Sequence, residues 1–180
     1  MRTRVVFALF ALIALSHPAL TRAQFSVYGT VAASDYGYAF NRAPLIINGD
    51  FAAYAGGLTY TFPHDGRLAL GVEYRESATP GIHGGSTGAA SFRIGLVPHK
   101  VRLRPYVQIG GGYVHAKIPV PLSVPNQSVT VASIGFGGGL DLRITQRVDW
   151  RVVEIESSAG VTSAKSAGTA SFGTGVVYHF

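Results

Sequence analysis

Few residues in this 180-residue chain could do chemistry, because charged side chains make up only 13% of it. Glu73, Arg75, Arg93, Asp141, Arg143, Glu154 and Glu156 stand alone inside stretches that otherwise alternate apolar and small residues. Arg104 is a further isolated charge of the same kind. Both signs occur on neighbouring stretches, as in groups that pair with one another. Away from water such pairs hold only when complete, since deleting one partner costs about 3–5 kcal/mol. The chemistry expected here is ion pairing: Glu73, Arg75 and Arg93 facing Glu154 and Glu156 across a closed interior and plugging it, with Asp141 and Arg143 on the same face.

Other chemistry is weakly encoded. The six histidines have no ligand spacing and no cysteine beside them, so neither a metal nor a cofactor is expected. Serine, histidine and aspartate are all present, and His115 with Ser133 or Ser91 could meet at one rim. No Gly-x-Ser-x-Gly accompanies them, and a non-enzymatic protein is expected. The glycine runs Gly110–Gly112 and Gly137–Gly139 lack the Lys-Ser/Thr and helix of a phosphate loop; close packing and curvature explain them.

The elements that position the charges begin after residue 23. Arg2 and Arg4, the apolar run Val5–Leu15 and the small-residue site Thr21-Arg22-Ala23 read as a signal peptide over 1–23, with the mature domain covering 24–180. Removing three arginines and no acid lowers the formal charge from +6 to +3, which gives no case for nucleic-acid binding. Helical periodicity is absent after the signal. Eight strands are expected: Gln24–Ala33, Asp50–Phe62, Arg67–Glu76, Thr87–Val97, Leu103–Lys117, Ser128–Ile144, Val148–Ser157 and Gly168–Phe180. Short turns alternate with long loops, the first loop spanning Ser34–Gly49 and the third carrying Pro119, Pro121 and Pro125.

Period-two reading separates two faces. Leu68, Leu70, Val72 and Tyr74 oppose Arg67, Ala69, Gly71, Glu73 and Arg75. Ile134, Phe136, Leu140 and Leu142 oppose Gly135, Gly137, Gly139, Asp141 and Arg143. In the seventh strand strict alternation sets Arg151, Val153 and Ile155 against Trp150, Val152, Glu154 and Glu156. Glycines on the polar face suit the crowded interior of an eight-stranded barrel, and aromatics gather at strand ends as interface girdles do. The fold class expected is all-β: an eight-stranded antiparallel up-and-down transmembrane barrel.

The last residues carry a resemblance. Gly175, Tyr178 and Phe180 resemble the C-terminal signal that the barrel-assembly machinery reads in bacterial outer-membrane proteins, although Gly173 stands where a polar residue is expected. With Arg104–Tyr113, Gly135–Arg143 and Asp149-Trp150-Arg151, the chain resembles the small OmpA/OmpX-like outer-membrane barrels from about residue 24 to 180. The resemblance implies an outer-membrane location, lipid and the assembly machinery as partners, and a structural or adhesive role through loops that bear Tyr36, Tyr38, Phe40, Asn41 and Arg42. No counterpart of the peptidoglycan-binding domain of full-length OmpA proteins is expected. Two other readings stay open: a soluble periplasmic lipocalin-like carrier, which needs an apolar interior, and a narrow channel.

Overall fold

The computed structural model describes residues 24–40, 43–64, 66–80, 84–98, 101–118, 127–161 and 165–180. The segment 1–23 expected to be a signal peptide, Asn41, Arg42 and the three loop prolines lie outside these residues. Eight strands run in order: β1 Gln24–Phe40, β2 Ala43–Thr61, β3 Leu68–Ala78, β4 Gly85–Leu96, β5 Leu103–Ile118, β6 Gln127–Arg143, β7 Val148–Val161 and β8 Lys165–His179. Each pairs antiparallel with its neighbour, and β8 closes on β1, giving a closed up-and-down barrel. Closure satisfies every strand edge, which a chain without cysteine needs if its sheet is to survive in lipid.

Several strands outrun their expected ends. The β1–β2 ladder continues to the pair Phe40–Ala43, through most of the expected first loop, and β7 and β8 pair out to Val161–Ser166. Alternation identifies a strand only where its two faces meet different surroundings. Pairing that continues past the apolar band carries no such mark.

The faces are inverted relative to a soluble barrel. Phe92, Ile134, Phe136 and Phe172 are 60–71% exposed on the outside. Inside lie Glu73, Arg75, Asp141, Asp149, Arg151 and Glu154, all buried. Contiguous apolar exterior on this scale marks a surface that meets lipid. The soluble lipocalin-like reading required an apolar interior around a ligand, and this charged, filled interior overturns it.

β7 departs from strict alternation. Leu140 pairs with Val153 but Asp141 pairs with Arg151, leaving Val152 as an extra residue; on the other side Arg151 faces Gly175 and Glu154 faces Gly173. This β-bulge shifts the parity by one. Arg151 and Glu154 therefore both point inward, correcting the expectation that they lie on opposite faces. Deleting Val152 removes the extra residue, so strict alternation then keeps Arg151, Glu154 and Glu156 on the inward face without a bulge. We expect such a deletion to keep the fast-migrating unboiled band of a closed barrel on a denaturing gel, while deleting Val107 from β5, which has no bulge and whose faces then reverse on one side of the cut, loses the band.

Candidate functional site

Four strands, β3, β4, β6 and β7, contribute to one chain of charges across the lumen, and β1, β2 and β5 add hydroxyl partners to it. Glu73 on β3 accepts hydrogen bonds from Tyr28 Oη at 2.8 Å and Thr59 Oγ1 at 3.2 Å, and pairs with Arg93 Nη1 at 3.0 Å. The other nitrogen, Arg93 Nη2, donates to Asp141 Oδ2 at 2.7 Å. Asp141 Oδ1 accepts from Arg151 Nε at 3.1 Å, and Arg151 Nη1 donates to Glu154 Oε1 at 2.7 Å. Glu154 Oε2 pairs with Arg75 Nη1. Arg75 Nε lies 2.9 Å from Glu156 Oε2, an ion-pair contact without hydrogen-bond alignment. Signs alternate along the whole sequence Glu73, Arg93, Asp141, Arg151, Glu154, Arg75, Glu156.

Two tyrosines brace this belt. Arg151, at 0% exposure, lies over the Tyr28 ring at 4.2 Å from its centroid, and the Arg93 guanidinium sits 3.5 Å from the centroid of Tyr106. Tyr106 Oη donates to Glu154 Oε1 at 2.9 Å. Guanidinium stacking on aromatic faces strengthens as the pair is desolvated. The rings fit because glycines face them. A Cβ on Gly57 would come within 2.5 Å of Tyr28 Oη, and one on Gly139 within 2.6 Å of Tyr106 Oη.

A second cluster sits at the short-turn end. Asp149 Oδ2 accepts from Arg104 Nη1 at 3.1 Å and meets His179 Nε2 at 2.9 Å, while His179 Nδ1 lies 3.2 Å from Ser26 Oγ. The order Ser–His–Asp matches a hydrolytic triad on paper. Ser26 is paired in the ladders with both Thr59 and His179, however, and no turn at that point presents backbone N–H groups to an oxyanion. The cluster ties β7, β8 and β1 together where the barrel closes.

Arg143 does not join the belt. It lies on the expected face but at the turn end of β6, where Nη2 donates to the Gln146 carbonyl at 3.5 Å. Arg151, Tyr28 and Tyr106 belong to the belt although the sequence reading left them out of it. Arg151 was hidden by the bulge, and the inward parity of the two tyrosines was the only available signal. His115 pairs with Thr130 Oγ1 at 2.7 Å, apart from Ser91 and Ser133. Gly175 faces Arg151, and the Tyr178 and Phe180 rings pack edge to face at 5.2 Å on the outside. Among the described residues no cluster of three or more His, Asp or Glu could hold a metal ion.

No protein-family model matches the chain, and no curated protein does. Solved structures do. The chain is similar to Neisserial surface protein A, with a TM-score of 0.59 and 14% identity over 87% of this chain and 97% of that one. It is also similar to the Yersinia pestis attachment invasion locus protein Ail (TM-score 0.53, 13% identity, 88% and 100% covered). The N-terminal barrel domain of Pseudomonas aeruginosa OprF gives a TM-score of 0.52 at 15% identity, covering 86% and 97%. At these identities the likeness concerns the fold: the chain is an eight-stranded transmembrane barrel of the kind found in bacterial outer-membrane proteins.

Replacing Arg151 by Met should leave Asp141 and Glu154 buried without their shared cation, at a cost of about 3–5 kcal/mol. Urea unfolding of the refolded protein in detergent should show that loss. Replacing exposed Arg67 by Met should change stability by less than about 0.5 kcal/mol.

Proposed function

We propose that this protein is a non-enzymatic barrel of a bacterial outer membrane whose lumen is plugged, and whose contribution is structural or made through its long loops. The observation that carries this reading is the ion-pair belt. It crosses the lumen from β3 and β4 to β6 and β7, and the described residues leave a cavity of about 70 Å³ on the turn side and one of about 10 Å³ beside Arg75 and Glu156. Nearer the loop end Val114, Ala116, Val129, Val131 and Ala167 form a buried apolar layer. An ion entering from that side would have to shed its water against valines before reaching the charges.

Both barrel ends, Gln24 and Phe180, lie on the short-turn side, where Phe180 N donates to Phe25 O at 3.0 Å. With those ends periplasmic, the long loops face outward. Contact with an extracellular partner through them is an extension of the same reading; the fold likeness to the attachment invasion locus protein is compatible with it. Insertion would be assisted by the barrel-assembly machinery through Gly175, Tyr178 and Phe180.

In planar bilayers the protein should show no stable open level above the baseline, while the same preparation migrates as a closed barrel without boiling. Sustained conductance from the closed form would favour the narrow channel instead.

A further inference from the structure

The turn-side mouth holds a regular set of arginines outside the belt. Arg67, Arg102 and Arg147 are each the last turn residue before a strand, preceding Leu68 of β3, Leu103 of β5 and Val148 of β7. Each carbonyl accepts from the far end of the hairpin that follows it, at the close of β4, β6 or β8: Arg67 from Val97 N at 2.7 Å, Arg102 from Arg143 N at 2.9 Å and Arg147 from His179 N at 2.8 Å. The three positions are thus equivalent around the rim, and all three residues are exposed. Among the described residues, no carboxylate pairs with any of them.

Just inside them the charges are mixed. Arg143 keeps a buried Nε without a hydrogen-bond partner, and Arg104 reaches Asp149, which His179 also contacts. The cavity of about 70 Å³ on this side is lined in part by His64, Arg93, Arg104, Asp141, Asp149 and His179. The opposite rim is mixed in sign: the described residues there include exposed Asp35, Glu76 and Lys117, and Lys165 begins β8. The turn rim is therefore the more uniformly cationic of the two.

We propose that the turn-side mouth binds phosphate groups, with Arg67, Arg102 and Arg147 as a collar and Arg143 beneath it. Guanidinium forks match phosphate oxygens in pairs, and a rim of exposed cations attracts an anion. Three guanidinium groups on separate turns favour a ligand with several negative oxygens over a monovalent ion. That phosphate can come from a soluble phosphate ester or from phospholipid headgroups beside the rim. The compartment that meets the mouth rests on the orientation proposed above; the binding chemistry does not.

The test measures the temperature at which the fast-migrating unboiled band is lost. Protein in neutral maltoside micelles is heated with sodium tripolyphosphate or with sodium chloride at equal ionic strength. A second series uses phosphatidylcholine vesicles with and without phosphatidylglycerol. Wild type is compared with the triple variant Arg67→Gln, Arg102→Gln, Arg147→Gln, and with the corresponding triple Lys variant. Tripolyphosphate should raise the transition of the wild type above its chloride value, the Gln variant should lose at least half of that shift, and the Lys variant, which keeps the charge without the fork, should keep more of it than the Gln variant. A shift with phosphatidylglycerol alone, again lost in the Gln variant, would identify lipid headgroups as the phosphate source. Equal responses from wild type and the Gln variant in both series would overturn the proposal. The unboiled band at low temperature reports barrel closure in every sample, so loss of the barrel and loss of binding are read separately.

Discussion

A guanidinium sealed at 0% exposure, as that of Arg151 is, must have its charge answered from inside the protein. Asp141 and Glu154 answer it directly, and the Tyr28 ring lies against it at 4.2 Å. Each of those partners makes a demand of its own. Asp141 is shared with Arg93, Glu154 with Arg75, and the tyrosines need the space left by Gly57 and Gly139. The bulge at Val152 exists in the same context, because without it Arg151 and Glu154 could not both enter the lumen. The interior is thus a set of mutually dependent groups, and each strand's register is tied to the pairings of its neighbours.

The outside of the barrel obeys the opposite rule and needs far less detail. Phe92, Ile134 and Phe172 meet lipid, where any residue of similar hydrophobicity would serve. Specificity in this fold resides in the lumen and at the two rims. At the turn rim, closure of β8 on β1 is reinforced by the Asp149–His179–Ser26 bonds and by stacking of Phe25 with Phe180 at 5.7 Å. The arginine collar is held at that same rim, outside the belt and exposed.

Period two was enough to read the barrel from the sequence, because lipid and lumen are such different surroundings that alternate residues betray their faces. Glu73, Arg75, Arg93, Asp141, Glu154 and Glu156 were legible as interior charges for that reason. Which of them meet is a matter of height and register across strands far apart in the chain, and parity says nothing about either. Arg143 shows the difference: its parity is right but it sits at the turn end. Arg151 shows a second limit, since one inserted residue reverses every face assignment beyond it. Strand ends outside the apolar band were illegible because both faces there meet similar surroundings.

The central claim, that charges fill the lumen while the apolar face meets lipid, can be tested one residue at a time. The chain has no cysteine, so single nitroxide labels can be placed cleanly. Labels at Phe92, Ile134 and Phe172 should, in a bilayer, be relaxed by dissolved oxygen and shielded from a water-soluble nickel chelate. Labels at their neighbours Ser91, Ser133 and Ser171 should be shielded from both. Oxygen reaching the Ser91, Ser133 and Ser171 labels more readily than the other three would reverse the two faces and contradict the barrel described.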